Sequence, residues 1–196
     1  MCENHSLLGA IRDTAVRLEA HLNIYNPVIN NERNGIPEAN LTVHFAHQCL
    51  RRDWLVYPEA SNVSHNADSQ NPIRVDLHVI CEGQFILTVE SKKFHSVEKA
   101  KEIISDYQRA QSLHYQHKYK DLPHYVLLLA ITEDPNYENW WCNSENWHNN
   151  AVVWEELANI LLNGDMTVSS FPMHTDEKTH QDEKTHHLLY AVSKVR

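Results

Sequence analysis

Hydrophobic residues recur along the chain with the two periods that distinguish strands from helices. Residues 74–80 and 85–94 are rich in β-branched and aromatic residues, and a short polar segment with Gly83 joins them, which predicts a β-hairpin. Residues 54–60 have the composition of another strand. Residues 125–131 are apolar throughout, which predicts a strand buried on both faces of a sheet.

Three segments show the three-to-four residue spacing of amphipathic helices. They are residues 6–24, residues 37–52, with Pro37 in the first turn, and residues 96–118, with Ser96 as the N-cap. Together with the strands they predict an α/β fold in which a mixed central sheet is flanked by helices. From residue 37 onward the expected order is helix, three strands, helix and strand.

The remaining segments are less regular. Residues 134–150 are rich in Trp and Asn and predict a loop, whose aromatic rings either cover the edge of the core or stack on unpaired bases. Residues 152–162 predict a brief strand that turns into a helix, and Gly164 ends it. Residues 166–171 predict a short strand. Residues 188–195 predict an edge strand or a helix.

The length of 196 residues suits one domain with a well-buried core. Within it we expect a helix and loop packed on the core (1–36), the core (37–163) and a tail (164–196). No apolar run is long enough for a membrane span, and no signal pattern begins the chain, which indicates a cytoplasmic protein without a membrane partner. The four cysteines are far apart, so neither disulfides nor a zinc knuckle are expected.

The net charge of -9 argues against binding of nucleic acid through the overall charge of the protein, because phosphate contacts require Lys and Arg. The charge is nevertheless uneven. Between residues 92 and 120, seven Lys and Arg residues stand against three acidic residues. A locally basic face can therefore lie near the hairpin.

Charged residues gather at one end of the apolar hairpin. Glu90 and Lys92 are two apart and point to the same face of their strand, and the preceding antiparallel strand carries Asp76. Such a cluster must be paired, solvated or bound to a metal. Two neighbouring carboxylates suit a hard cation such as Mg²⁺. Lys92 could then activate water or neutralise charge on a phosphate.

Asp76, followed after thirteen residues by Glu90-Ser91-Lys92, resembles the motif of the PD-(D/E)XK nuclease superfamily. The resemblance implies an αβββαβ core of the restriction-endonuclease-like type and hydrolysis of phosphodiester bonds in DNA with Mg²⁺ or Mn²⁺. It implies that Asp76 and Glu90 bind the metal, that the Ser91 carbonyl adds a ligand and that Lys92 orients or activates water. A homodimer would be the simplest arrangement for two cuts in a duplex.

Five further residues are candidates for the same site. Glu38 resembles the acidic residue that the first core helix of many such nucleases directs to the metal, although it also suits the dipole of its own helix. Gln111 and Tyr115 resemble a Gln-x-x-x-Tyr pair in bacterial recombination helicase-nucleases, with Tyr107 and Gln108 as a competing register. Lys93 and Glu59 are candidates for supporting the site or contacting DNA, and Glu59 could equally be a solvated residue at a strand end.

Three other interpretations remain open. The Glu90 and Lys92 pair could be a solvated surface ion pair, worth under about 1 kcal/mol. The fold could be kept by a binding module that cleaves nothing. Residues 176–187 repeat a six-residue His-bearing unit, which could bind a transition metal or form a solvated turn.

Overall fold

The computed structural model describes residues 2–25, 36–62, 73–113, 119, 121–144, 151–174 and 185–195. Tyr115, Trp147 and most of the six-residue repeat lie outside these residues. Five helices are described: α1 (Cys2–Tyr25), α2 (Glu38–Leu50), α3 (Val97–Gln111), α4 (Pro135–Asn143) and α5 (Ala151–Leu161). Six strands are described: β1 (Leu55–Asn62), β2 (Ile73–Cys81), β3 (Phe85–Lys93), β4 (His124–Thr132), β5 (Met166–His174) and β6 (Thr185–Lys194).

The strands form one mixed sheet in the order β1-β2-β3-β4-β6-β5. Strands β3 and β4 pair in parallel, and the other neighbours are antiparallel. The predicted α/β class and the β2–β3 hairpin are therefore confirmed. Gly83 lies in the hairpin turn at φ 73°, where glycine is favoured because it has no side chain. Elements α2 to β4 follow the predicted order, whereas the family of this core stays a prediction.

Helices cover both faces of the sheet and create two core layers. On one face, α1 and α2 pack against Leu77, Leu87 and Leu127. On the other, α3, α4 and α5 pack against residues of β4 and β6 such as Leu128 and Leu189. Because β4 contributes to both layers, its predicted burial on both faces is confirmed. Among the described residues, no helix combines the length and apolarity needed to cross a membrane.

The predicted loop over residues 134–150 is wrong in its first half, where α4 forms. Asp134 caps this helix by accepting a hydrogen bond from the Asn136 N–H at 2.8 Å, and Pro135 takes the first helical position. Trp140 and Trp141 are buried in the second core layer. These two rings are therefore part of the core and are not accessible for stacking on bases.

Three other elements differ from the sequence prediction in their extent or in their position. Residues 152 and 153 belong to helix α5 and do not form the predicted brief strand, because Trp154, Leu157 and Leu161 must present one apolar face to the second layer. Strand β6 lies between β4 and β5, so the predicted edge position is wrong and β5 forms that edge. Helix α3 ends at Gln111, where the Ser112 hydroxyl donates to a carbonyl of the last turn (2.7 Å) and competes with helical hydrogen bonding.

Candidate active site

The hairpin brings Asp76 and Glu90 side by side. Leu77 pairs with Val89 across the antiparallel strands, and Asp76 and Glu90 follow one residue beyond that pair. Asp76 Oδ2 accepts a hydrogen bond from the Ser91 backbone N–H at 2.8 Å, which fixes the carboxylate against β3. Burial raises the pKa of Asp76, against the opposing effects of the Ser91 N–H and Lys92.

Glu90 is the most deeply buried carboxylate of the cluster, with 2% of the residue exposed. Its Oε1 lies 3.0 Å from a guanidinium nitrogen of Arg109. Its Oε2 is buried and has no hydrogen-bond partner among the described residues. Burial, followed by the carboxylates of Asp106 and Asp76, raises the pKa of Glu90 to about 8, although Arg109 opposes the shift.

Lys92 is half-buried and directs its ammonium group to α3. Its Nζ lies 2.9 Å from Asp106 Oδ2 and 3.9 Å from Glu102 Oε2. Burial disfavours the charged form, but the attraction of Asp106, Glu38 and Asp76 prevails and raises the pKa of Lys92. Lys92 is therefore an ammonium ion at neutral pH in this arrangement.

Asp106 and Arg109 of α3 complete a chain of ion pairs that sequence reasoning missed. Arg109 lies 2.7 Å from Asp106 Oδ1, so the order of contacts is Glu90, Arg109, Asp106, Lys92. A signal was present, because Asp106 lies three residues after Ile103 and four before Ala110 and therefore shares their inward helix face. A carboxylate on a buried face requires a cationic partner.

Glu38, at the start of α2, contacts the end of β3 and the beginning of α3. Its Oε1 accepts a hydrogen bond from the Lys93 backbone N–H at 3.0 Å and lies 3.2 Å from the Lys99 ammonium. Burial would raise its pKa, but these two partners outweigh burial and lower it. Glu38 also attracts Lys92, so it lies close enough to the cluster to affect its charge.

Two other predicted residues, Ser91 and Glu59, lie next to this cluster. The Ser91 hydroxyl accepts a hydrogen bond from Thr42 of α2 at 3.0 Å. Glu59 is exposed, adopts φ 54° between two regular pairs of β1 and β2, and forms an ion pair with Arg74. Glu59 also contributes to the raised pKa of Asp76, so it borders the site.

Gln111, a member of the predicted Gln111 and Tyr115 pair, contacts Tyr107 of the competing register. Its Nε2 donates to the Tyr107 hydroxyl at 2.9 Å, one turn earlier on α3. Tyr107 is buried, and its hydroxyl also lies 3.1 Å from the Ser193 hydroxyl. The described contact of Gln111 therefore supports packing of α3 on the sheet, while the predicted partner Tyr115 lies outside the described residues.

The charges in the cluster fit a bound cation. When all of these groups are ionised, three carboxylates, Asp76, Glu90 and Asp106, face two cationic groups, Lys92 and Arg109, which leaves an excess of one negative charge. A proton or a cation must balance it in a buried setting. In the described part of the chain, no three His, Cys, Asp or Glu side chains lie close enough to form a metal cluster by themselves. Mg²⁺ fits this donor set, because it often takes one or two carboxylates and completes its shell with water.

In comparisons with known proteins, no family model, no curated protein and no solved structure matches the chain. The resemblance to PD-(D/E)XK nucleases therefore stays a prediction that depends on the residues of β2 and β3.

Proposed function

We propose that the protein is a nuclease that hydrolyses phosphodiester bonds in DNA and requires Mg²⁺ or Mn²⁺. The observation that carries this proposal is the buried Glu90 Oε2, which has no hydrogen-bond partner among the described residues and belongs to a carboxylate next to Asp76. A buried, unpaired carboxylate oxygen in an acidic cluster is costly unless a proton or a cation compensates it, and the proposal assigns this role to the metal ion.

In this proposal each charged residue has a separate task. Asp76 and Glu90 hold the cation, the Ser91 carbonyl adds a ligand and Glu38 completes the acidic set. When bound, the cation supplies Lewis-acid stabilisation of a phosphoryl oxygen. Lys92 orients water and neutralises negative charge that develops on the phosphate. Asp106 fixes the Lys92 ammonium from α3, at 2.9 Å.

Cleavage of labelled DNA by the purified protein tests the proposal. Single strands, duplexes and flapped duplexes are each incubated with Mg²⁺, with Mn²⁺ and with EDTA. We expect shortened products with either metal and none with EDTA. Intact DNA of all three forms under every condition would contradict the proposed function.

Asp76→Asn is expected to weaken Mn²⁺ binding at least about tenfold, since it removes the charge of one of two carboxylates that hold the ion. Isothermal titration calorimetry measures the affinity. Asp165→Asn, an exposed residue in the turn before β5, is the matched control and should bind as the parent does. Equal affinities of parent and Asp76→Asn would place the metal elsewhere.

A binding module without catalysis is the second candidate. It is favoured by the ion pairs that engage both Glu90 and Lys92 with residues of α3. In that case the charged cluster joins the helix to the sheet, and DNA or a protein partner is bound but not cut. Binding of DNA without products in the presence of Mg²⁺ and Mn²⁺ would support this alternative.

A further inference from the structure

A cleft of about 370 Å³ opens between the edge of the sheet and the end of α3. Tyr57 of β1, Val75 and His78 of β2, and Leu113 are among the residues that line it. Its volume lies in the lower range of small-molecule sites. A nucleobase or nucleoside fits such a space, whereas a DNA duplex does not.

The cleft adjoins the candidate active site along β2. Two of its lining residues, Val75 and His78, flank Asp76 in the sequence. His78 lies two residues from Asp76, a distance of about 7 Å along a strand. A ligand in the cleft can therefore belong to the same nucleotide chain as a phosphate beside Asp76 and Glu90.

The lining offers rings and apolar surface. Tyr57 pairs with His78 across the antiparallel strands, so both side chains stand on one face of the sheet. Tyr57 is 51% exposed and presents its ring to an incoming ligand. Burial lowers the pKa of His78 to about 4, so its ring is uncharged at neutral pH. Within the described lining, no residue carries a full charge at neutral pH.

These properties of the cleft lining favour the binding of a flat, uncharged group. Aromatic side chains that stack on bases bind single strands with little sequence preference, because every base has an aromatic face. Contacts to duplex DNA depend mainly on Lys and Arg. The uncharged lining favours the first kind of recognition at this cleft, and the net charge of -9 disfavours binding that depends on phosphate contacts alone.

We propose that this cleft binds an unpaired nucleobase adjacent to the phosphate at Asp76 and Glu90, with Tyr57 as the stacking ring. The proposal rests on the proposed function for the position of the phosphate. It defines the substrate class as single-stranded DNA, including single-stranded ends of duplexes.

Binding without catalysis tests the cleft separately from the nuclease reaction. Fluorescein-labelled oligothymidylate is titrated with the full chain in EDTA, and fluorescence anisotropy gives the affinity. We expect Tyr57→Ala to weaken binding roughly tenfold, which corresponds to the stacking contribution of one base. Tyr57→Phe keeps the ring and should retain most of the affinity. Leu55→Ala is the control, because Leu55 lies two residues away on the same strand and outside the cleft lining.

The outcomes separate the two proposals. Absence of oligothymidylate binding, equal affinity of Tyr57→Ala and parent, or an equal loss in Leu55→Ala would overturn the cleft proposal, even if the parent cleaves DNA. Tighter binding of a duplex of the same length would overturn it as well. If the parent cleaves nothing while Tyr57→Ala alone loses affinity for the oligonucleotide, the cleft proposal stands and the nuclease proposal fails.

Discussion

Lys92→Ala is expected to lower the rate of Mg²⁺-dependent DNA cleavage by about two to three orders of magnitude, the range for removing one group that stabilises charge in a transition state. The ammonium group is held 2.9 Å from Asp106, on the same face of β3 as Glu90. Its removal is therefore expected to weaken the stabilisation of charge on the phosphate and the positioning of the water. Single-turnover cleavage with saturating protein measures the chemical step without the contribution of product release.

Metal binding should survive this change, because Lys92 is not a ligand. The Mn²⁺ affinity of Lys92→Ala is therefore expected to equal or slightly exceed that of the parent, since a neighbouring positive charge is lost. Lys101→Ala is the matched control, as Lys101 is exposed on α3, and should cleave at the parental rate. Parental cleavage by Lys92→Ala would remove Lys92 from the mechanism.

Glu90→Gln is expected to stabilise the metal-free protein at alkaline pH by roughly 5 kcal/mol. In the unfolded chain Glu90 ionises near its ordinary pKa of 4.5, whereas burial raises its pKa to about 8 in the folded protein. Between these values the folded state binds more protons than the unfolded state. The stability of the parent therefore falls as the pH rises through this window, and glutamine, which does not ionise, avoids that loss.

Urea denaturation in EDTA at about pH 4, pH 6.5 and pH 9 measures this difference. The curves of parent and Glu90→Gln should lie closest at the lowest pH and diverge as the pH rises. Glu155→Gln changes an exposed residue of α5 and should follow the parent throughout. Mg²⁺ should stabilise the parent at pH 9 and have a smaller effect on Glu90→Gln, because a ligand of the folded state shifts unfolding by mass action. An unchanged pH dependence in Glu90→Gln would contradict the assigned environment of Glu90.

The parts of the fold that could be predicted are those with a local signal. The hairpin of β2 and β3 follows from its β-branched and aromatic residues and from the polar turn with Gly83, and β4 follows from its continuous apolar run. Helix α4 also had a local signal in Asp134 and Pro135, a cap followed by a first-turn proline, but the many polar residues after it favoured a loop. Its Trp140 and Trp141 gain their burial from other elements, which the segment alone does not reveal.

Pairing between distant segments could not be predicted. The apolar residues of β6 are compatible with an edge strand or a helix until β4 and β5 are known to pair on either side of it. The candidate site likewise has one part that could be predicted and one part that could not. The proximity of Asp76 and Glu90 follows from the hairpin, whereas Asp106 and Arg109 enter from α3, and their contacts depend on how that helix packs on the sheet.

The ion pairs among Glu90, Lys92, Asp106 and Arg109 have a consequence for how the chain is assembled. Glu90 and Arg109 are separated by only 19 positions, and the other two members lie between them. Because the entropy cost of closing a segment grows with the logarithm of its length, closing this segment costs about 2 kcal/mol less than joining the two ends of the chain. Burial of these four charges is thus compensated within one strand and the helix that follows it, whatever the arrangement of the more distant strands β5 and β6.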